Sequence, residues 1–253
     1  ALRINHHRDL FDYDDLEGGD KYVTESVPYF VTIPTTSGTG SEVGRSAIIS
    51  EDESKRKRIL FSPKLLASHV FADPELTFGL PGFITAATGM DALTHNVEAF
   101  LAKGYHPMAD GIALEGMKMI AGSLEEAVNE PKNIKARGEM MLASLMGAVA
   151  FQKGLGIVHA TAHPLSTLLD MHHGLANSMM IPYGMEYNLI GNENIFKDIS
   201  EALGSNGDVV NYLHSLKSSL DIPEKLSELG VKQSHLEDLT ELAYNDFCLP
   251  ANP

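Results

Sequence analysis

Five residues in two short stretches have the types and spacing of a metal site. His159 and His163 stand four positions apart, and His173 follows ten positions later. Upstream, Asp91 and His95 have the same four-residue spacing on an apolar stretch. Because residues four apart share one face of a helix, each pair would present two donor atoms together. Two such helices facing each other, with His173 beyond the end of the second, predict a divalent metal site.

Other interpretations of these residues remain open at the sequence level. A single buried histidine is more often a hydrogen-bonded core residue than a ligand, so the prediction depends on the paired spacing. His-x-x-x-His also suits a metal-assisted hydrolase or lyase that activates a bound water. Peptidases of the His-Glu-x-x-His type have glutamate after the first histidine, whereas Ala160 follows His159 here, which argues against that class.

The elements that must position these residues are helices. After Pro81 the apolar pattern changes from a period of two to a period of 3.6, which it keeps to the end of the chain. This change places a domain boundary near residue 76 and predicts an α/β part at 1–75 and an all-helical part at 76–253. The expected helices span residues 82–102, 107–128, 132–153, 157–170, 175–190, 208–220, 223–229 and 235–246.

Within the helical part, three patterns carry further predictions. Met140 to Phe151 is apolar on nearly every face, which predicts the central buried helix. A one-sided stripe predicts core packing; its members are Val209, Leu213, Leu216 and Leu220. Ser234 to Glu237 has the capping-box pattern that begins a helix.

The first 75 residues predict strands and loops. Strands are expected at 28–34, where the run is buried and bounded by prolines, and at 46–50, 58–61 and 70–74. Residues 12–27 predict a charged, solvated loop. The loop from Thr35 to Glu42 is either a plain connection or a source of backbone N–H groups and hydroxyls for a phosphate. The basic run Lys55 to Arg58 is either a solvated turn or a contact for a dinucleotide phosphate or ribose.

Composition excludes several classes of function. The 253 residues contain 34 acidic and 19 basic side chains, and the net charge of −15 disfavours nucleic acid or an anionic membrane as a partner. The one cysteine, Cys248, forbids an internal disulfide, and no apolar run has the length of a membrane span or a signal core. A cytoplasmic protein is expected.

Several motifs resemble one known family, the iron-containing (group III) alcohol dehydrogenases. The motifs are Pro34-Thr-Thr-Ser-Gly-Thr-Gly-Ser-Glu42, Thr88-Gly-Met-Asp-Ala-Leu-Thr-His95 and His159-Ala-Thr-Ala-His-Pro-Leu165, with His173-Gly-Leu-Ala-Asn177 and the tail Asp246 to Pro253. The resemblance covers the whole chain. It implies the remnant of an N-terminal α/β nucleotide-binding domain followed by an all-helical metal-binding domain. It also implies truncation at both ends, with the glycine-rich pyrophosphate loop expected before Ala1.

The resemblance implies a role for each candidate residue. The metal ligands would be Asp91, His95, His159 and His173, and His163 would be a nearby non-ligand that relays protons. Thr35, Thr36 and Thr39 would border the cofactor, and Lys57 would reach it from the following turn.

The same resemblance implies the reaction. Members bind NAD or NADP and a divalent metal, and they interconvert small alcohols with aldehydes or ketones. Three histidines and one carboxylate fit iron(II) or zinc and leave coordination positions open for a substrate oxygen. A homodimer or larger homo-oligomer is expected. The alternative from another functional class is a non-catalytic metal-binding fragment that lacks a complete cofactor site.

Overall fold

The chain divides into two compact units that follow the predicted order of α/β and helical parts. The computed structural model describes residues 1–53 and 56–253, with residue 56 as backbone only. The first unit contains residues 1–34 and 41–72, and the second contains residues 35–40 and 73–253. The predicted fold class, an α/β part followed by a helical domain, is confirmed. The predicted domain limits, 1–75 and 76–253, stay a prediction.

The strands of the first unit form two small sheets. β1 (Val31–Thr32) pairs in parallel with β4 (His69–Val70), and β2 (Ser46–Glu51) pairs antiparallel with β3 (Arg56–Phe61). The expected strand at 28–34 is shorter and less buried than predicted, because prolines without an N–H flank it and Val31 is 39% exposed. The expected strand at 70–74 ends early, since Asp73 caps a 3₁₀ turn that begins at Pro74.

The prediction of a solvated loop at 12–27 is wrong for its first residues. Tyr13 and Asp14 are fully buried, and Tyr13 belongs to the core of the first unit. The Asp14 carboxylate accepts hydrogen bonds from Arg58 Nη1 at 3.0 Å and from two backbone N–H groups. Arg58 also pairs with Glu51 at 2.8 Å. Because Arg58 lies in β3, this end of the predicted basic run belongs to a strand and is not a solvated turn. Lys55 lies outside the described residues.

The described residues of the second unit contain eight α-helices. They are α1 (Gly82–Leu101), α2 (Pro107–Asn129), α3 (Ile134–Ala150), α4 (Ile157–Leu169), α5 (His173–Leu189), α6 (Glu193–Leu203), α7 (Val209–Ser219) and α8 (Leu236–Tyr244). Helix α6 was not predicted, and the helix expected at 223–229 is a short 3₁₀ helix, Leu226–Leu229. The predicted capping box does not form, because His235 Nδ1 accepts from Lys232 N and a 3₁₀ turn leads directly into α8.

The central helix is α1, contrary to the expectation for Met140 to Phe151. Every α1 residue from Thr85 to Ala99 is buried, whereas Leu142 and Val149 on α3 are each about half exposed. Small residues on α1 permit this close packing, and a Cβ on Gly89 would lie 2.2 Å from Leu124 Cδ1. The stripe on α7 is buried in the same core, as predicted.

No single helix among residues 1–53 and 56–253 is both long and apolar enough to cross a membrane. One bent pair, Ile134–Lys153 with Ile157–Leu169 at 107°, has this length and composition only when its two parts are combined.

Candidate metal centre

Helix α1 presents three titratable side chains to the interior of the helical unit. Asp91, His95 and Glu98 stand at positions i, i+4 and i+7, which lie on one face of a helix. All three are almost completely buried. Buried acidic and imidazole groups require hydrogen-bond or metal partners, because desolvation without a partner is costly. These partners come from the beginnings of α4 and α5.

Glu98 organises the first turn of α4. Its Oε1 accepts from the Val158 backbone N–H at 2.6 Å, and its Oε2 accepts from the His159 N–H at 3.2 Å. The same Oε2 lies 2.7 Å from His159 Nδ1. A carboxylate is a strong acceptor for the free N–H groups at a helix start. The contact with Nδ1 directs the other nitrogen of His159, Nε2, toward Asp91 and His173.

Helix α5 begins directly against α1. Gly174 allows this approach, since a Cβ there would lie 2.4 Å from the Ala87 carbonyl oxygen. The contact places His173 Nε2 3.6 Å from Asp91 Oδ1. One turn further along α5, Asn177 is completely buried beside the same groups.

Four predicted ligands lie around one point. The donor atoms of Asp91, His95 and His159 lie within 4.8 Å of one another. The Asn177 amide nitrogen lies 2.6 Å from Asp91 Oδ1 and 3.2 Å from the Nε2 atoms of both His159 and His173. Three acceptor atoms thus converge on one N–H₂ group, which stands in for a cation as their common partner. The structure therefore brings together all four residues of the predicted set, with Asn177 added.

The convergence leaves the amide oxygen of Asn177 without a hydrogen bond among the described residues. Asn177 Oδ1 is buried and has no hydrogen bond among the described residues, because the amide nitrogen faces the acceptor atoms. Two imidazoles and a carboxylate crowded around an amide whose oxygen is unsatisfied form a poor hydrogen-bond network but a good donor set for a metal. The residues present fit a divalent cation.

The two acidic groups of α1 have pKa values shifted in opposite directions. Burial raises the pKa of Asp91, but His95, His173 and His159, together with the Asn177 amide, lower it to about 2. Burial raises the pKa of Glu98 to about 7, although the backbone N–H groups at the start of α4 oppose the rise. Asp91 is therefore the anionic member of the centre, and Glu98 responds to pH near neutrality.

His163 lies next to the centre and is held by a separate carboxylate. Its Nδ1 lies 2.7 Å from Asp246 Oδ2. The His163 ring stacks on the His173 ring, with centroids 5.4 Å apart, and lies tilted against the Phe247 ring at 5.2 Å. His163 does not belong to the group of donor atoms formed by Asp91, His95 and His159.

The predicted cofactor residues fall in two separate parts of the chain. Thr35, Thr36 and Thr39 lie in the short segment of the helical unit, whereas Lys57 lies in β3 of the first unit. The segment is fixed at Gly38 and Gly40: a Cβ on Gly38 would lie 2.8 Å from Thr88 Cβ, and one on Gly40 would lie 2.5 Å from the Ser144 carbonyl oxygen. Gly38 O also lies 3.3 Å from His95 Nδ1, which connects this loop to the metal centre. The cofactor role of these residues stays a prediction.

Sequence reasoning missed the residues that hold the ligands in place. Glu98 stands three positions after His95 on the same apolar helix, and this spacing is the pattern that could have identified it. Asn177 and Asp246 belong to the family motifs, but their residue types and positions alone indicate no role. Asn252 gave no local indication, although its Oδ1 accepts from Ile157 N at 3.0 Å and its amide pairs with Asn188 at 2.7 Å.

Comparison with known proteins identifies the family. The family described as iron-containing alcohol dehydrogenase matches residues 1–74, and the C-terminal part of the Fe-containing alcohol dehydrogenase family matches residues 85–253. The chain is similar to 4-hydroxybutyrate dehydrogenase of Cupriavidus necator, with 38% identity over all of this chain and 69% of that protein. It is similar to 1,3-propanediol dehydrogenase of Citrobacter freundii, with 39% identity over all of this chain and 67% of that protein.

A solved structure gives the same result in three dimensions. The crystal structure of 1,3-propanediol oxidoreductase aligns with the whole of this chain and 68% of that one, with a TM-score of 0.93 and 38% identity. The predicted resemblance and the predicted class of enzyme, an NAD(P)-dependent alcohol dehydrogenase, are confirmed. The chain belongs to the iron-containing alcohol dehydrogenase family.

Proposed function

We propose that this protein transfers a hydride between a small alcohol or aldehyde and NAD or NADP, using a divalent metal held by Asp91, His95, His159 and His173. The observation that carries the proposal is the convergence of Asp91 Oδ1, His159 Nε2 and His173 Nε2 on one amide nitrogen at 2.6–3.2 Å. The metal would be iron(II), with zinc as the alternative, because both accept imidazole and carboxylate ligands.

The chain's own groups prepare the centre for this ion. Asp91 supplies a negative charge in a buried site, and the low pKa of about 2 keeps it ionised. Glu98 and Gly38 O contact the Nδ1 atoms of His159 and His95, so that the opposite nitrogen of each ring is available as a ligand. When bound, the metal supplies a Lewis acid that polarises the substrate oxygen.

His163 is proposed to move the substrate proton. Its Nδ1 is held by Asp246, so Nε2 is the nitrogen that exchanges a proton. Asp246 also stabilises the charged imidazole that forms when His163 accepts a proton. The stacking of His163 on His173, at 5.4 Å between centroids, places this group beside the proposed ligands.

The cofactor contacts are proposed from the loop beside α1. Thr35, Thr36 and Thr39 supply hydroxyl and backbone groups that border the cofactor. The relative from Bacillus methanolicus is described as an NAD-dependent methanol dehydrogenase, 36% identical to this chain, which supports a nicotinamide cofactor. We propose a cytoplasmic homo-oligomer, in keeping with the single cysteine and the charge of −15.

The test measures oxidation of NADH and NADPH by small aldehydes, with iron(II) or zinc added to the metal-free protein. We expect turnover that requires the metal.

His163→Ala should keep its metal and lose turnover by roughly 100- to 1,000-fold, because an acid–base group is lost. His214→Ala is the matched control, since His214 is exposed on α7, and it should keep normal turnover.

Two outcomes would overturn the proposal. Metal binding without turnover by any aldehyde would identify a non-catalytic metal-binding protein. Hydrolysis of esters or amides without a nicotinamide cofactor would identify a metal-assisted hydrolase. If His163→Ala lost its metal, His163 would be a ligand and the assignment of His159 or His173 would be wrong.

A further inference from the structure

A second group of donor atoms includes His163, whose ring stacks on the proposed ligand His173. It consists of His163, Asp246 and Cys248, and one donor atom of each lies within 4.8 Å of the others. Cys248 is buried, and it is the only cysteine in the chain. No role for a sulfur atom follows from hydride transfer, so this cluster is not explained by the proposed function.

A tight turn brings the acid and the thiol together. Asp246 Oδ1 accepts from the Cys248 backbone N–H at 2.9 Å, and Leu249 N donates to the Asp246 carbonyl at 3.2 Å. The other carboxylate oxygen, Oδ2, faces His163 Nδ1 at 2.7 Å. The tail after this turn is fixed by the buried pair of Asn252 and Asn188. The Asp246 carboxylate, His163 Nδ1 and the backbone of Cys248 are therefore held in place before any ion arrives.

The donor chemistry of the cluster differs from that of the first centre. A thiolate, an imidazole and a carboxylate form a set that borderline-soft ions such as Zn²⁺ prefer. Ligand atoms around zinc lie about 3.5 Å apart, as bond lengths of about 2.0–2.3 Å require in a tetrahedral site. The observed separations would need shifts of only about 1 Å to reach this geometry. Water or substrate would supply a fourth ligand.

We propose that His163, Asp246 and Cys248 form a second, thiolate-containing metal site that takes Zn²⁺ or a similar borderline-soft divalent ion. Binding releases the thiol proton to solvent, because the bound form of cysteine is the thiolate. The His173 side chain, which stacks on His163, is 28% exposed, so the cluster lies one ring away from solvent. An ion at this site would bind His163 through Nδ1 in place of its contact with Asp246. The cation would make Nε2 less basic and so slow its proton transfer; this consequence rests on the proposed function.

Cobalt(II) provides a readout that does not depend on activity. The first centre contains no sulfur, so a thiolate-to-cobalt charge-transfer band in the near ultraviolet can arise only at Cys248. We expect this chain to develop the band when cobalt is added beyond the first equivalent. Asp91→Ala should keep the band, and Cys248→Ser should lose it while still binding one equivalent. Absence of the band in the unmodified chain at saturating cobalt, or its loss in Asp91→Ala, would overturn the proposal.

Inhibition provides the functional test. Zinc added to the iron-loaded protein should lower turnover by about 100-fold, the loss expected when an acid–base group is blocked. Cys248→Ser should have normal basal turnover and be insensitive to the same zinc concentration. Equal inhibition of both proteins would show that zinc acts elsewhere. If the cobalt band appeared but no aldehyde were turned over, the second metal site would stand and the proposed function would be wrong.

Discussion

At the scale of single residues, Glu98 performs two tasks through one carboxylate. It accepts the N–H groups of Val158 and His159 at the start of α4, and it contacts His159 Nδ1 at 2.7 Å. Removal of such a contact to a ligand histidine commonly costs 10- to 100-fold in metal affinity, as a rough guide. The carboxylate that determines the orientation of a ligand therefore matters nearly as much as the ligand.

The pKa of Glu98 leads to a prediction about stability in the metal-free protein. Burial raises the pKa from 4.5 to about 7 on folding, so between these values the folded state keeps a proton that the unfolded state loses. The contribution of Glu98 to the unfolding free energy is therefore greatest below about pH 4.5 and decreases as pH rises toward 7. The loss between pH 5 and pH 7.5 should be roughly 2 kcal/mol.

Urea unfolding of the metal-free protein at these two pH values measures this loss. Glu98→Gln removes the titrating group and keeps the side-chain shape. Between pH 5 and pH 7.5, the variant should lose roughly 2 kcal/mol less unfolding free energy than the parent protein loses. An equal pH dependence in both proteins would mean that Glu98 is ionised throughout this range.

The residues proposed for the metal centre could be grouped from sequence because their spacing is local, whereas the contacts of their supporting partners could not. Asp91, His95, His159 and His163 show their relation through four-residue spacing alone. The contact between Glu98 and His159 requires α1 to face the beginning of α4, and no local pattern encodes that arrangement. Asn252 is more distant still, since it reaches Ile157 from the C-terminal tail.

At the scale of elements, the site depends on how closely α5 approaches α1. Gly174→Ala would place a Cβ 2.4 Å from the Ala87 carbonyl oxygen, which is backbone and cannot move aside cheaply. We expect a loss of about 1–3 kcal/mol in unfolding free energy, the range for overpacking. The metal affinity should decrease as well, because His173 is the adjacent residue.

Gly122→Ala is the matched control for this substitution. Gly122 is also within a helix, α2, but a Cβ there would meet nothing within 4 Å. The change should stabilise the protein by roughly 0.5–1 kcal/mol, because alanine favours helix more than glycine does. Chemical unfolding and metal titration of both variants provide the comparison. Unchanged stability in Gly174→Ala would show that α5 does not need the close approach.

Periodicity predicted most helices and failed where polar residues hide it. Helix α6 has a strongly one-sided apolar face formed by Phe196, Ile199 and Leu203. It begins inside the polar stretch Gly191 to Asn194, which is typical of a loop. The strands were harder to predict, since β1 and β4 contain only two residues each and depend on pairing across the chain.

At the scale of the whole molecule, the metal would connect helices that are distant in sequence. The proposed ligands come from α1, α4 and the start of α5, so one ion would cross-link three elements of the helical unit. An ion that binds only the folded chain stabilises it by about 4 kcal/mol when its concentration is 1,000 times the dissociation constant. The centre should therefore contribute to folding as well as to chemistry.

The metal content of ligand variants tests the central claim most directly. The measurement is best made in a Cys248→Ser background, so that the first centre is measured alone. After loading with iron(II) and removal of excess ion, elemental analysis should find about one ion per chain in the parent and in His214→Ala. Asp91→Ala and His173→Ala should each retain almost none, because each loses a bond and the geometry it fixes. Unchanged metal content in both ligand variants would contradict the account.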